Sequence, residues 1–225
     1  MSQKTISENL FEKFCNQNGI KWEPIKTAPE EGKKTSDYFI YPSNQKVIAE
    51  VKQIDRNAEE LERERKIKRR ELNVRTSTPG KRVGKKIRDA YPQLKSISED
   101  KYPCLLILYN NVPHSFDLLD SYNIKIGMYG LEQITFAVPR NPNRTPYIAD
   151  KSFGSKRSLT TRDQNTTLSA LAVIYEPSEN NLSLDIYHNV HAKIKLRPEY
   201  LNGLKVKYFT LEEKEPGVFQ DWVEM

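Results

Sequence analysis

The stretch that most constrains this chain runs from Ser36 to Lys52. Two strand-like runs, Tyr38-Phe39-Ile40-Tyr41 and Val47-Ile48-Ala49-Glu50-Val51-Lys52, flank Pro42-Ser43-Asn44-Gln45. A short polar turn between two such runs specifies a hairpin, and closing it over those four residues pairs Tyr41 with Lys46. The same register sets Asp37 directly opposite Glu50. Opposed residues of an antiparallel pair point to one face, with Cβ atoms roughly 4.5–5.5 Å apart, so two carboxylates there repel unless a cation lies between them. Lys52, two residues past Glu50, shares the face. Hard divalent cations take oxygen ligands, and the Val51 carbonyl, between the two functional side chains, would add one. Two carboxylates and an ammonium on one sheet surface suit metal-assisted phosphodiester hydrolysis.

A chain of 225 residues with 37% hydrophobic and 29% charged residues fits one large domain with a real core. Runs such as Cys104 to Leu108 are far too short to span a membrane, and the N-terminal segment lacks the apolar core of a signal peptide. The expectation is a soluble, cytoplasmic protein with no membrane partner. Cys15 and Cys104 both stand in apolar patterns and are expected as free buried thiols. The charge is localised: residues 56–95 hold 14 Lys/Arg against 6 Asp/Glu, a net of +8 within a total of +6, so the rest stands near −2. That is the electrostatic footprint of a polyanion partner, although interleaved glutamates would also suit a solvated, salt-bridged helix.

Residues 6 to 18 read as a helix whose stripe is Leu10, Phe11, Phe14 and Cys15, stopped by Asn18-Gly19. On a helical wheel Glu8 falls at the edge of that stripe, over the sheet, while Glu12 turns to solvent. Trp22 to Ile25 is a short strand and Thr27 to Lys34 a loop. Ala58 to Leu72 is helical, with Leu61, Ile67 and Leu72 as a narrow buried edge. Thr76 to Arg82 breaks the pattern as a mobile segment, and a second helix runs from Val83 to about Ile97, kinked or split by Pro92. Tyr102 to Tyr109 is a strand buried on both sides. Ile124 to Tyr129, Ile134 to Val138, Leu168 to Tyr175 and Leu182 to His188 are further strands. Residues 139–167 read as a long loop or substrate-side insertion. The whole is a single mixed α/β layer domain over 1–225, with its motif core at about 5–138 and C-terminal strands in 168–225.

Asp37 followed thirteen residues later by Glu50-Val51-Lys52 resembles the PD-(D/E)-x-K motif of the restriction-endonuclease-like nuclease superfamily. Glu8, eleven residues before the helix-ending Gly19, resembles the archaeal resolvase arrangement, and Gln53 resembles an auxiliary glutamine of some branches. The motif match covers about the first 55 residues, and Ser36 replaces the motif's proline. The resemblance implies a central mixed sheet flanked by helices. It also implies Mg²⁺ (with Mn²⁺ substituting) held by Asp37 and Glu50, hydrolysis assisted by Lys52 and Glu8, DNA rather than RNA as substrate, and a homodimer in many relatives. The basic block then supplies phosphate contacts: Arg63, Lys66, Arg69 and Arg70 at i, i+3, i+6 and i+7 on the first basic helix, with Lys81, Arg82, Lys85 and Lys86 closing from the mobile loop.

Each residue also has a plainer explanation. Asp37 suits a strand start, Glu50 and Lys52 a solvent-facing strand edge, and Glu8 a capping box with Thr5. A non-catalytic nucleic-acid-binding module, or a domain that meets an acidic protein partner, would use the same basic block. Gly80 to Lys86 is not a phosphate loop, because three residues rather than four separate its glycines and Lys86 stands where a Ser/Thr is needed. His188 and His191 lack partners at zinc-like spacing.

Overall fold

In the computed structural model, residues 4–25, 36–72, 78–112, 117–141, 143–153, 158–201, 203–215 and 218–225 are described; the expected loop at Thr27–Lys34 lies outside them. Helix α1 (Ile6–Gln17) begins with a reciprocal cap: Glu8 N–H donates to Thr5 Oγ1 at 3.2 Å, and Thr5 N–H donates to Glu8 Oε2 at 2.6 Å. Its stripe buries Phe11, Phe14 and Cys15, each phenylalanine contributing about 1.5–3 kcal/mol of transfer free energy. Gly19, at φ +64°, turns the chain into β1 (Lys21–Pro24).

Strands β2 (Tyr38–Tyr41) and β3 (Val47–Ile54) form the expected hairpin around a short 3₁₀ turn at Pro42–Asn44. Strand β4 (Cys104–Asn110) lies parallel to β3, and β7 (Leu168–Ser178) lies parallel to β4. With β8 (Asn181–His188), β9 (Val206–Glu215) and β10 (Val218–Glu224) they complete an eight-stranded mixed sheet in the order β1-β2-β3-β4-β7-β8-β9-β10. Its central strands are buried on both faces, which is why they read as continuous apolar runs. One face packs Val47, Ala49, Val51, Leu105 and Ile107 against α1. The other packs Ile48, Ile54, Leu106 and Leu108 against α3 (Lys81–Ser98) and α4 (Ser121–Tyr129).

Several expectations are corrected. Ile124–Tyr129 is helix α4, not a strand. Asp120 caps it, accepting from Asn123 N–H at 2.7 Å, and Gly130 ends it, so Ile124 and Met128 fall one turn apart on a buried face. The helix expected from Val83 forms and begins two residues earlier, so Lys81, Arg82, Lys85 and Lys86 stand in the first turns of α3 and not on a mobile loop. Its start is pinned by Gly80 N–H donating to Asn123 Oδ1 at 2.8 Å, and a Cβ on Gly80 would lie 2.5 Å from Gly127 N. Pro92 neither splits nor ends α3; it lies on the solvent-exposed side, while Val83, Ile87, Ala90 and Leu94 hold the buried side. In α2 (Ala58–Lys68) the apolar residues are not the buried edge. Leu61 and Ile67 are exposed, Leu72 lies beyond the helix end, and Glu60 is the residue that is buried. Residues 139–167 are not all loop: β6 (Tyr147–Phe153) pairs antiparallel with β5 (Glu132–Ala137) in a separate two-stranded arm.

Candidate active site

The hairpin register is Tyr38↔Ala49, Phe39↔Ile48 and Ile40↔Val47, which is the expected one and continues to Asp37 opposite Glu50. At that step side chains take over the ladder. Asp37 N–H donates to Glu50 Oε2 at 3.1 Å, and Val51 N–H donates to Asp37 Oδ2 at 2.8 Å. Each carboxylate thus bonds to the other's strand, and the two acids are clasped together. Glu50 alternates with Ile48 and Ile54 on the face that α3 covers, and none of its surface is exposed. The solvent-edge explanation for Glu50 is therefore excluded by its burial. Lys52 follows on the same face, one-quarter exposed, and its Nζ forms an ion pair with Glu50 Oε1. Beyond that ion pair, Glu50 Oε1 has no hydrogen-bond partner among the described residues.

Burial and the neighbouring Asp37 charge push the Glu50 carboxyl up to about 7, against the smaller opposing pull of Lys52. Asp37 is also raised, chiefly by burial. The Val51 N–H and Lys52 oppose this, and the Glu8 charge adds to it. Two adjacent acids that resist ionisation, one of them paired with an ammonium, mark this point as a candidate functional site. Mg²⁺ is usually held by one or two protein carboxylates with water and phosphate oxygens filling its shell. Among the described residues no group of three or more His, Cys, Asp and Glu is poised around one point.

The flanking residues divide. Glu8 is engaged in the α1 cap, yet its charge reaches Asp37. Glu12 does not face solvent as expected: its carboxylate accepts from the buried Tyr38 hydroxyl at 2.8 Å and pairs with Lys4. Gln53 ties the start of α1 to the end of β3, accepting from Ser7 N–H at 3.1 Å and donating to Asp55. Ser36, in the place of the motif's proline, is buried with its Oγ unpartnered among the described residues.

The basic residues do not act as one row. Arg63 and Lys66 lie on α2, but Arg69 is its C-cap and Arg70 turns away at φ +57°. Arg82 is taken up structurally, donating to Glu60 Oε1 at 3.0 Å and to the Asp55 carbonyl. Lys81 and Lys85 are exposed. Lys86 is half-buried on α3, and burial lowers its pKa, with the Asp89 and Asp55 charges opposing this and Lys52 adding to it. Lys86 falls inside the helix expected from Val83, and with Val83 and Ile87 turned inward it comes to the edge of the covered face and not to a mobile loop. Asp55 was missed, being one residue past the alternating set. His188 is buried beside Tyr208 and pushed down to about 4, chiefly by burial, and His191 packs on Tyr129.

Compared with protein-family models, with curated proteins and with solved structures, the chain matches none of them, and the site's own geometry is what bears on its use.

Proposed function

We propose that this chain is a metal-dependent nuclease that hydrolyses phosphodiester bonds, with DNA as the substrate. The observation that carries this reading is the clasp of Asp37 and Glu50 with Lys52 ion-paired to it on a covered sheet face. The element order α1, β1, the β2–β3 hairpin, α2, α3 and the parallel strand β4 supports it, since a helix after the motif and then a buried strand agree in order with the core of the PD-(D/E)-x-K superfamily. Asp37, Glu50 and the Val51 carbonyl would hold Mg²⁺ or Mn²⁺, which when bound polarises the phosphate and acidifies a water. Lys52 moves from its ion pair to hydrogen-bond the attacking oxygen and to offset charge developing on the phosphate. Lys86 adds a second ammonium on the α3 side, and Glu8 keeps the rim of the site negative. A homodimer in the cytoplasm belongs to the same reading. Among the described residues no helix is long and apolar enough to cross a membrane.

The test is cleavage of single-stranded, duplex and branched DNA and of RNA, with Mg²⁺, with Mn²⁺ and with chelator. The wild type should cut only with metal, while Asp37→Asn, Glu50→Gln and Lys52→Ala bind nucleic acid and lose at least about 10²-fold in rate. Cutting by all three variants at the wild-type rate, or cutting in chelator, would reject the assignment; binding without cutting by the wild type would favour a non-catalytic binding module.

A further inference from the structure

The β5–β6 arm is anchored at one end and bare at the other. At its base, the buried Lys125 Nζ donates to Glu132 Oε1 at 3.1 Å and to Asp221 Oδ1 at 2.8 Å, and Phe153 packs on Tyr129 with ring centroids 5.4 Å apart. Helix α4, from which it springs, packs on α3 over the sheet face that carries Glu50 and Lys52. Toward the tip no layer of the described residues covers it: Phe136 is 62% exposed, Val138 75%, Tyr147 61% and Ile148 54%. A lone two-stranded ribbon is marginal in water, so exposed apolar side chains on this scale call for a partner.

The tip indicates which partner. From Val138 to Tyr147 its only charges are Arg140 and Arg144, both exposed. The turn is ordered locally: Asn143 N–H donates to Asn141 Oδ1 at 2.9 Å and Arg144 N–H to the Asn141 carbonyl at 3.1 Å. Asn141 therefore shapes the tip and leaves Arg140, Asn143 and Arg144 directed outward. Two copies meeting tip to tip would oppose four guanidinium groups. Strand addition to the tip is hindered by Pro139 and Pro146, which lack the N–H that pairing needs. A polyanion with a groove meets each of these features. The B-DNA major groove, about 12 Å wide, admits a two-stranded ribbon; Arg bonds bidentate to guanine, Asn to adenine, and apolar side chains contact the thymine methyl.

We infer that the β5–β6 arm is a recognition ribbon that enters the major groove of duplex DNA, with Arg140, Asn143 and Arg144 reading base edges and Phe136 and Tyr147 packing against the bases or sugars. The choice of nucleic acid as partner rests on the nuclease reading. A-form RNA, whose major groove is deep and narrow, is excluded by the same geometry.

The experiment measures anisotropy of labelled duplex DNA of mixed sequence, and of duplex RNA of the same sequence, with chelator present so that nothing is cut. The proteins are wild type, Arg140→Ala/Arg144→Ala, and Arg140→Lys/Arg144→Lys. The wild type should prefer duplex DNA over duplex RNA. The alanine pair should lose roughly tenfold or more in affinity for duplex DNA. The lysine pair should recover salt-dependent binding without the wild type's preference for duplex DNA over duplex RNA, since lysine keeps the charge and loses the fork. Equal binding of DNA by wild type and alanine pair overturns the inference, as does equal binding of RNA and DNA by the wild type. A change from dimer to monomer in the alanine pair with DNA affinity intact would overturn it in favour of self-association. The two readings fail separately: a wild type that never cuts with metal, yet loses duplex binding with the arm arginines, sinks the nuclease and keeps the ribbon. A wild type that cuts, beside an alanine pair that binds as tightly, does the reverse.

Discussion

Replacing Glu50 by Gln should make the protein more stable at pH 8 and should flatten its pH dependence. The glutamine keeps the shape of the side chain and an acceptor for Asp37 N–H while removing a charge that has no solvent exposure. The Glu50 carboxyl lies at an ordinary 4.5 in the unfolded chain and at about 7 in the fold. At about 1.36 kcal/mol per pH unit this difference amounts to about 3 kcal/mol. The folded state holds the proton more tightly, so the stability is fully present below pH 4.5 and is lost as pH rises through 7. Asp37 moves in the same direction in both proteins and cancels in the difference. Urea unfolding of wild type and Glu50→Gln in chelator, from pH 4.5 to pH 8, should show curves that diverge by about 3 kcal/mol, or about 6–12 °C in Tm for a chain of this size. Parallel curves would refute the claim that a buried, strained charge sits at this point of the sheet.

If Asp37 and Glu50 hold a divalent ion, the ion competes with the Glu50 proton; Mg²⁺ should raise the wild-type Tm more at pH 8 than at pH 5.5, and Glu50→Gln should lose that increment. Gly80→Ala places a Cβ 2.5 Å from Gly127 N at a positive φ, so α3 and α4 must part; about 1–3 kcal/mol of stability should be lost, read by urea unfolding. Arg82→Ala leaves the buried Glu60 carboxylate without its guanidinium and should cost about 1–3 kcal/mol, recovered in part by the double variant Arg82→Ala/Glu60→Gln. Tyr38→Phe removes the hydroxyl bonded to Glu12 and should cost about 1 kcal/mol in thermal unfolding, since the ring stays buried.

The hairpin was legible because a buried face fixes register: with Ile40 and Tyr38 inside, only one pairing satisfies both strands, and that pairing sets Asp37 against Glu50. The two thiols, α1 and the central strands β4 and β7 were legible for the same reason, apolar periodicity. What was misread fails on physical grounds. Residues 124–129 alternate polar and apolar as a strand would, yet the Asp120 cap and the Gly130 stop make them helical. Residues 81–86 are too basic to show periodicity except through Val83 and Ile87, and the glycine before them looks like a loop until α4 packs on it. Glu12 was placed in solvent because the wheel of α1 cannot show that the Tyr38 hydroxyl reaches across from β2. The basic row on α2 assumed a helix running to Leu72, four residues longer than the one that forms.

The two cysteines lie on opposite sides of the same sheet, Cys15 on the inner face of α1 and Cys104 at the start of β4 beneath α3, and burial raises both thiols, to about 12 and about 11. Each half of the interior therefore carries its own chemical tag, inert while that half is closed. The rates at which an added alkylating reagent finds the two sulfurs give a clock for each half, and matching clocks would mean that the two sides of the sheet come apart in a single event.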